Sequence, residues 1–86
     1  MTMGQEIASK VRRIIGHQFN LAEDRIKPES SFVDDFGADS LVLVQMTLRL
    51  EETFDIRIDV GDVEKIFTVQ NAIDYVEKQV AGRHGH

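Results

Sequence analysis

Apolar residues recur at helical spacing in three stretches of this chain, and only one short segment alternates as a strand would. The first series is Ile7, Val11, Ile14, Ile15 and Phe19, spaced i, i+4, i+7, i+8 and i+12 along one face of an amphipathic helix. Thr2 followed by Gln5 has the form of a capping box, so a helix is expected over about 4–19. The second series starts after Asp39 and Ser40, either of which can cap it, and runs to about Phe54. With residues placed about 100° apart, Leu43, Met46, Leu50 and Phe54 share a stripe that should face the core, flanked by Thr47 and Val42. The third is Val69, Ala72, Ile73, Val76 and Val80, capped by Thr68 and stopped at Gly82. Before it, Asp59 to Ile66 reads as a short helix capped by Asp59, with Val63 and Ile66 inward. Asp55-Ile56-Arg57-Ile58 alternates but has no partner strand, which makes it an extended connection. The expected fold is all-α, a four-helix bundle of three main helices and a short third one, with a long first loop.

That loop, Asn20 to Ala38, loses all period and holds Pro28, Asp34-Asp35 and Gly37. Its own apolar residues Leu21, Ile26, Phe32, Val33 and Phe36 predict a segment pinned to the core. At 86 residues the chain has room for one domain and one modest core, expected over about 4–80 with a frayed tail at 81–86. Little space is left for an enclosed active site, so a catalyst is not expected.

Charge narrows the partners. The net −5 disfavours nucleic acid and anionic membrane surfaces. Residues 1–28 carry five basic side chains against three acidic ones, whereas residues 34–64 carry nine acids against Arg49 and Arg57. The acidic middle is either a solvated surface or a docking face for basic partners. The absence of cysteine removes disulfides, thiolate zinc sites and a thiol nucleophile, and fits a reducing compartment. No apolar run approaches the ~20 residues of a membrane span, and the first residues lack a signal pattern, so a cytoplasmic protein is expected.

Several chemical readings fail on spacing. Asp34-Asp35-Phe36-Gly37-Ala38-Asp39 lacks the third-position ligand and sixth-position glycine of a calcium loop. His17, His84 and His86 are scattered, and no metal site is expected. There is no Ser, His and acid set and no glycine-rich phosphate loop. What remains is Gly37-Ala38-Asp39-Ser40-Leu41. A serine at a helix start is exposed, and its hydroxyl lies beside unpaired N–H groups and the positive end of the helix dipole, where an esterified phosphate is stabilised. The same serine also suits an ordinary cap. On the next helix Leu41, Val44 and Leu48 form a second apolar stripe opposite the first. Either both faces are buried in a small bundle or this one binds a partner.

The stretch Phe32-Val33-Asp34-Asp35-Phe36-Gly37-Ala38-Asp39-Ser40-Leu41 closely resembles the serine loop of acyl carrier proteins. The resemblance covers about residues 5–80, through Ile14-Ile15-Gly16, Leu50-Glu51-Glu52-Thr53-Phe54, Glu64-Lys65-Ile66 and Thr68-Val69-Gln70-Asn71-Ala72-Ile73-Asp74-Tyr75-Val76. It implies a 4′-phosphopantetheine arm, drawn from coenzyme A, on Ser40, with Asp39 read by the phosphopantetheinyl transferase. It further implies docking of acyl-processing enzymes with basic patches through Leu41, Val44, Leu48 and Glu51 on the second helix, and through Asp62 and Glu64 on the short one. A monomeric carrier of thioesters in fatty acid or related lipid biosynthesis follows, with a cavity for the acyl chain bordered by Phe32, Leu43, Met46, Leu50 and Ile66.

This sequence departs from the family pattern at Val42, Gln45, Val60 and Gly61, where acids are common, and at Leu43, where a small polar residue is usual. The departures suggest a dedicated carrier with its own enzymes. Two alternatives stay open: a discrete polyketide or nonribosomal peptide carrier, and, from another class, an unmodified helical interaction module.

Overall fold

The computed structural model describes residues 3–84, with side chains described from 5 to 82. The expected capping box at Thr2 lies outside the described residues. Helix α1 spans Met3–Phe19, α2 Ser40–Phe54, α3 Val60–Val63 and α4 Val69–His84. Among the described residues there is no strand, only an isolated antiparallel bridge between Ser31 and Thr68. Helix α1 packs against both α2 and α4, and α2 also packs on α4, which gives the all-α bundle. Among the described residues no helix is long and apolar enough to cross a membrane.

Each long helix turns its periodic stripe inward. Val11 and Ile15 of α1, Met46 and Leu50 of α2, and Val69 and Val76 of α4 are fully buried together with Phe32. Leu43 and Phe54 are half-buried at the edges of the α2 stripe, whereas Thr47 is buried and returns its hydroxyl to the Val44 carbonyl at 2.8 Å. A hydroxyl bonded within its own helix can be buried at little cost.

Helix α1 ends at Asn20, whose left-handed φ of 56° turns the chain back sharply. The N–H of Leu21 donates to the Gly16 carbonyl at 2.9 Å, and a Cβ on Gly16 would stand only 2.9 Å from the Leu21 carbonyl oxygen. Glycine is what lets the loop leave the helix so tightly. A single 3-10 turn, Glu23–Arg25, follows. Ile26 and Phe32 then anchor the loop in the core, and Leu21 and Phe36 are half-buried. Val33 is exposed, against expectation, because its neighbour Phe32 takes the inward direction. Phe19, Phe32 and Phe36 form an aromatic trio, with ring centroids 5.3 to 6.1 Å apart, that pins the loop to the end of α1.

Two boundaries differ from expectation. The short helix is confined to Val60–Val63 rather than reaching Ile66. Asp59 precedes it without a side-chain cap bond, and the bonds that carry the chain onward are i+3 ones, from Asp62 to Asp59, Lys65 to Asp62 and Ile66 to Val63. Val60 and Gly61 are poor helix formers, and an uncapped turn built on them tightens instead of propagating. Gly82 does not stop α4, which continues to His84. The start of α4 is a reciprocal cap: Thr68 Oγ1 accepts from the Asn71 N–H at 3.1 Å, and Asn71 Oδ1 accepts from the Thr68 N–H at 3.0 Å.

Candidate functional site

The loop before α2 is a compact hydrogen-bonded coil that ends at Ser40. Asp35 Oδ2 accepts from the Ser31 N–H at 2.6 Å, and Ser31 Oγ accepts from the Asp34 N–H at 3.0 Å. The Gly37 N–H donates to the Val33 carbonyl and the Ala38 N–H to the Phe32 carbonyl, so Ala38 is buried directly behind the turn. Gly37 adopts φ 70°, a left-handed conformation that favours glycine. Asp34 and Asp35 therefore belong to a folded turn, with the Asp35 carboxylate bonded inside it.

Asp39, not Ser40, caps α2: its Oδ1 accepts from the Val42 N–H at 2.9 Å. That assignment frees the serine. Ser40 is the first helical residue, exposed, and among the described residues no side-chain hydrogen bond engages its hydroxyl. No acidic side chain lies in the first turn of α2 itself to oppose an incoming phosphate. An uncommitted hydroxyl at a helix N-terminus fits a covalently attached phosphate ester, which the N-terminal dipole stabilises.

A groove of about 410 Å³ runs from Ser40 between α2 and α3. One wall is Leu43, Val44, Thr47, Leu48 and Glu51 of α2; the other is Ile58, Val60, Val63 and Glu64. Leu41, Val44 and Leu48 are exposed, so the second stripe of α2 is not covered within the bundle, and Val60 is 88% exposed across from it. Of the six residues expected to dock partners, Leu41, Val44, Leu48 and Glu64 are exposed, and all of these but Leu41 line the groove.

The other two have internal partners. Glu51 is half-buried and its Oε2 accepts from the Ile58 N–H at 2.6 Å, fastening the 55–58 connection to α2. Asp62 is half-buried; its Oδ2 accepts from the Tyr75 hydroxyl at 2.7 Å, and its Oδ1 pairs with Lys65 Nζ at 3.3 Å. The bond from Tyr75, and then the one from Lys65, holds the Asp62 carboxyl below its ordinary range. Burial first, and the bond to Asp62 second, push the Tyr75 phenol up to about 12.

Of the five residues expected around an acyl cavity, Leu43 alone lines this groove. Phe32, Met46, Leu50 and Ile66 are buried in the core between the helices. The sequence reasoning did not foresee Thr47, Ile58, Val60 and Val63 as groove walls, nor Tyr75 as a partner of α3. The alternation at Asp55 to Ile58, which turns Ile58 inward, is the signal that was there to be used. Val42 and Gln45 also prove to have structural roles: Val42 packs against the core, and Gln45 Oε1 accepts from Gln18 Nε2 of α1 at 3.3 Å.

The comparison with protein families agrees with this geometry. The family described as "Phosphopantetheine attachment site" matches residues 9–76. Among solved structures, the acyl carrier protein from Enterococcus faecalis is similar, at 33% sequence identity and a TM-score of 0.78, over 91% of this chain and 99% of that one.

Proposed function

The chain belongs to the phosphopantetheine-attachment family as an acyl carrier protein, a carrier and not a catalyst, and from that premise we propose that Ser40 bears its covalent 4′-phosphopantetheine. The observation that carries this reading is the division of labour at the start of α2. Asp39 takes the cap, which leaves the Ser40 hydroxyl exposed and uncommitted beside the N-terminal dipole. When bound, the arm supplies a terminal thiol on which acyl groups are held as thioesters, so a chain without cysteine can carry them. Asp39 would serve the phosphopantetheinyl transferase as a recognition group while remaining the cap.

Acyl-processing enzymes dock on members of the family generally. On this chain the docking face is Leu41, Val44 and Leu48 with Glu64, while Glu51 and Asp62 contribute less because each is engaged internally. Exposed ion pairs contribute on the order of 0.2–1 kcal/mol each, so a face poor in free acids depends more on apolar contact. This supports a dedicated carrier in fatty acid or related lipid biosynthesis with its own partner enzymes. The absence of cysteine suits the cytoplasm. On this reading the described residues are one acyl-carrier domain.

The test is mass spectrometry after incubation with coenzyme A and a phosphopantetheinyl transferase. One added arm is expected on the wild type and none on Ser40→Ala. No gain on the wild type, or an equal gain on the variant, would overturn the assignment of the arm to Ser40.

A further inference from the structure

Helix α3 has little of its own to hold it in place. It is four residues long, none of them buried, and its flanking turns rest on three i+3 backbone bonds. Nevertheless it supplies one wall of the groove that opens at Ser40. The residues that face the groove are Val60, Val63 and Glu64, which three- and four-residue spacing places on one side of the turn. Asp62 lies on the other side and is absent from the groove lining. It reaches α4, where the Tyr75 hydroxyl donates to it at 2.7 Å.

The geometry points to Tyr75 as a positioning residue for the cargo: its hydrogen bond to Asp62 fastens α3 to α4 from behind and so fixes the wall of the groove that shelters a chain attached at Ser40. The inference rests on the reading of Ser40 as the arm-bearing residue. Two features make the fastening durable. Lys65 pairs with the second carboxylate oxygen of Asp62. The Tyr75 ring packs against the core, so its anchor point does not move with α3. Breaking the bond leaves α3 held from one side only, through the Glu51 bond to the Ile58 N–H and the packing of Val63 and Ile66. Regions with few buried contacts are the ones that open first.

Tyr75→Phe keeps the ring and removes the hydroxyl, and with it the bond donated to Asp62 and the backbone hydrogen bond from Asp59. In the unmodified chain, amide exchange at positions 62, 65 and 66 is expected to accelerate about tenfold in Tyr75→Phe, the loss of one hydrogen bond to a charged acceptor. The same acceleration is expected in Asp62→Ala, with no further gain in the double variant, while interior amides of α4 are unchanged. Asp62→Asn keeps a neutral acceptor for the phenol but loses the charge and the Lys65 pair, and is expected to fall between the wild type and Asp62→Ala. On protein carrying a saturated acyl thioester, cleavage by hydroxylamine is expected to be about tenfold faster in Tyr75→Phe, in proportion to the opening of α3. Unchanged amide exchange, or fully additive single effects, overturns the fastening. Faster exchange with an unchanged rate of thioester cleavage overturns its role in sheltering cargo. A wild type that takes no arm is detected separately by mass; it sinks the Ser40 reading and the sheltering role, while the amide measurement still decides the fastening.

Discussion

Among the described residues two stretches lie outside the long helices, and they are held by different balances of apolar burial and polar ties. Residues 20–39 form the longer one, yet Ile26, Phe32 and Ala38 are buried, and backbone bonds to Phe67, Val69 and Gln70 stitch it to the start of α4. Residues 55–68 are shorter and bury Ile58 and Ile66 on either side of a helix that buries none of its own residues, so that helix leans on two polar ties, Glu51 to Ile58 and Tyr75 to Asp62, beside the packing of Val63. Length is therefore a poor guide to looseness. A loop anchored by apolar burial is part of the global fold, because opening it exposes core. A helix anchored by hydrogen bonds can yield locally while the rest of the bundle stays folded. The arm-bearing serine proposed above sits where the first stretch meets α2, and the groove that leads from it is walled by the second. The proposed attachment point thus lies on firm ground, with the adaptable surface beside it.

Substitutions in each stretch test that division. Phe32→Ala removes the ring that both fills the core and holds Phe19 and Phe36 together, and should cost about 3–5 kcal/mol of global stability in urea unfolding. A loss below about 1 kcal/mol would mean the loop is not part of the cooperative core. Glu51→Ala strands the Ile58 N–H and should cost about 1.5–3 kcal/mol, appearing first as faster amide exchange over residues 56–66. If the exchange of α1 and α4 amides rises equally, the second stretch is no softer than the first and the contrast fails.

Much of this was legible in the sequence, and what was not has definite physical causes. Periodicity located α1, α2 and α4 because each buries a stripe that only helical spacing can align; it also found the exposed stripe of Leu41, Val44 and Leu48. The extent of α3 was misjudged because Val63 and Ile66 are apolar at helical spacing, yet backbone propensity at Val60 and Gly61 outweighs that pattern. Gly82 was read as a stop, but a glycine stops a helix only when the chain needs a left-handed turn there, and α4 continues past it. The candidate site divides likewise. Ser40 and Asp39 were visible as a pair, and only coordinates could say which of them caps the helix. The internal bonds of Glu51 and Asp62 were hidden because each joins residues far apart in sequence, and nothing in a carboxylate's neighbours along the chain announces a partner 7 or 13 positions away.

A smaller effect is expected where the two stretches meet. Thr68→Ala removes the hydroxyl half of the reciprocal cap of α4 and should cost about 1 kcal/mol. Because Thr68 pairs with Ser31 and the next residue, Val69, bonds to the Ser30 carbonyl, the lost stability should be accompanied by faster exchange in residues 30–38. Exchange confined to α4 would show that the loop does not depend on that junction.

The smallest effect is a dependence on pH. The Tyr75 phenol is raised from 10.0 to about 12 in the folded chain, so between those values the folded state keeps a proton that the unfolded state has released. Stability contributed by this group is complete below about pH 10 and is lost as pH rises through about 12. Asp59 and Asp62 both bear on the phenol, so the informative quantity is the difference between wild type and Tyr75→Phe. The wild type should lose its advantage over the variant progressively across that window, read by urea unfolding at stepped pH. The Asp62 carboxyl, held low by the same bond, should show the mirror image: its contribution is present above about pH 4 and declines as pH falls through its lowered value. Parallel curves for the two proteins at both extremes would mean that the Tyr75–Asp62 bond does not discriminate folded from unfolded chains. The second stretch would then be held by Glu51 and apolar packing alone, and the distinction between its two polar ties would collapse to one.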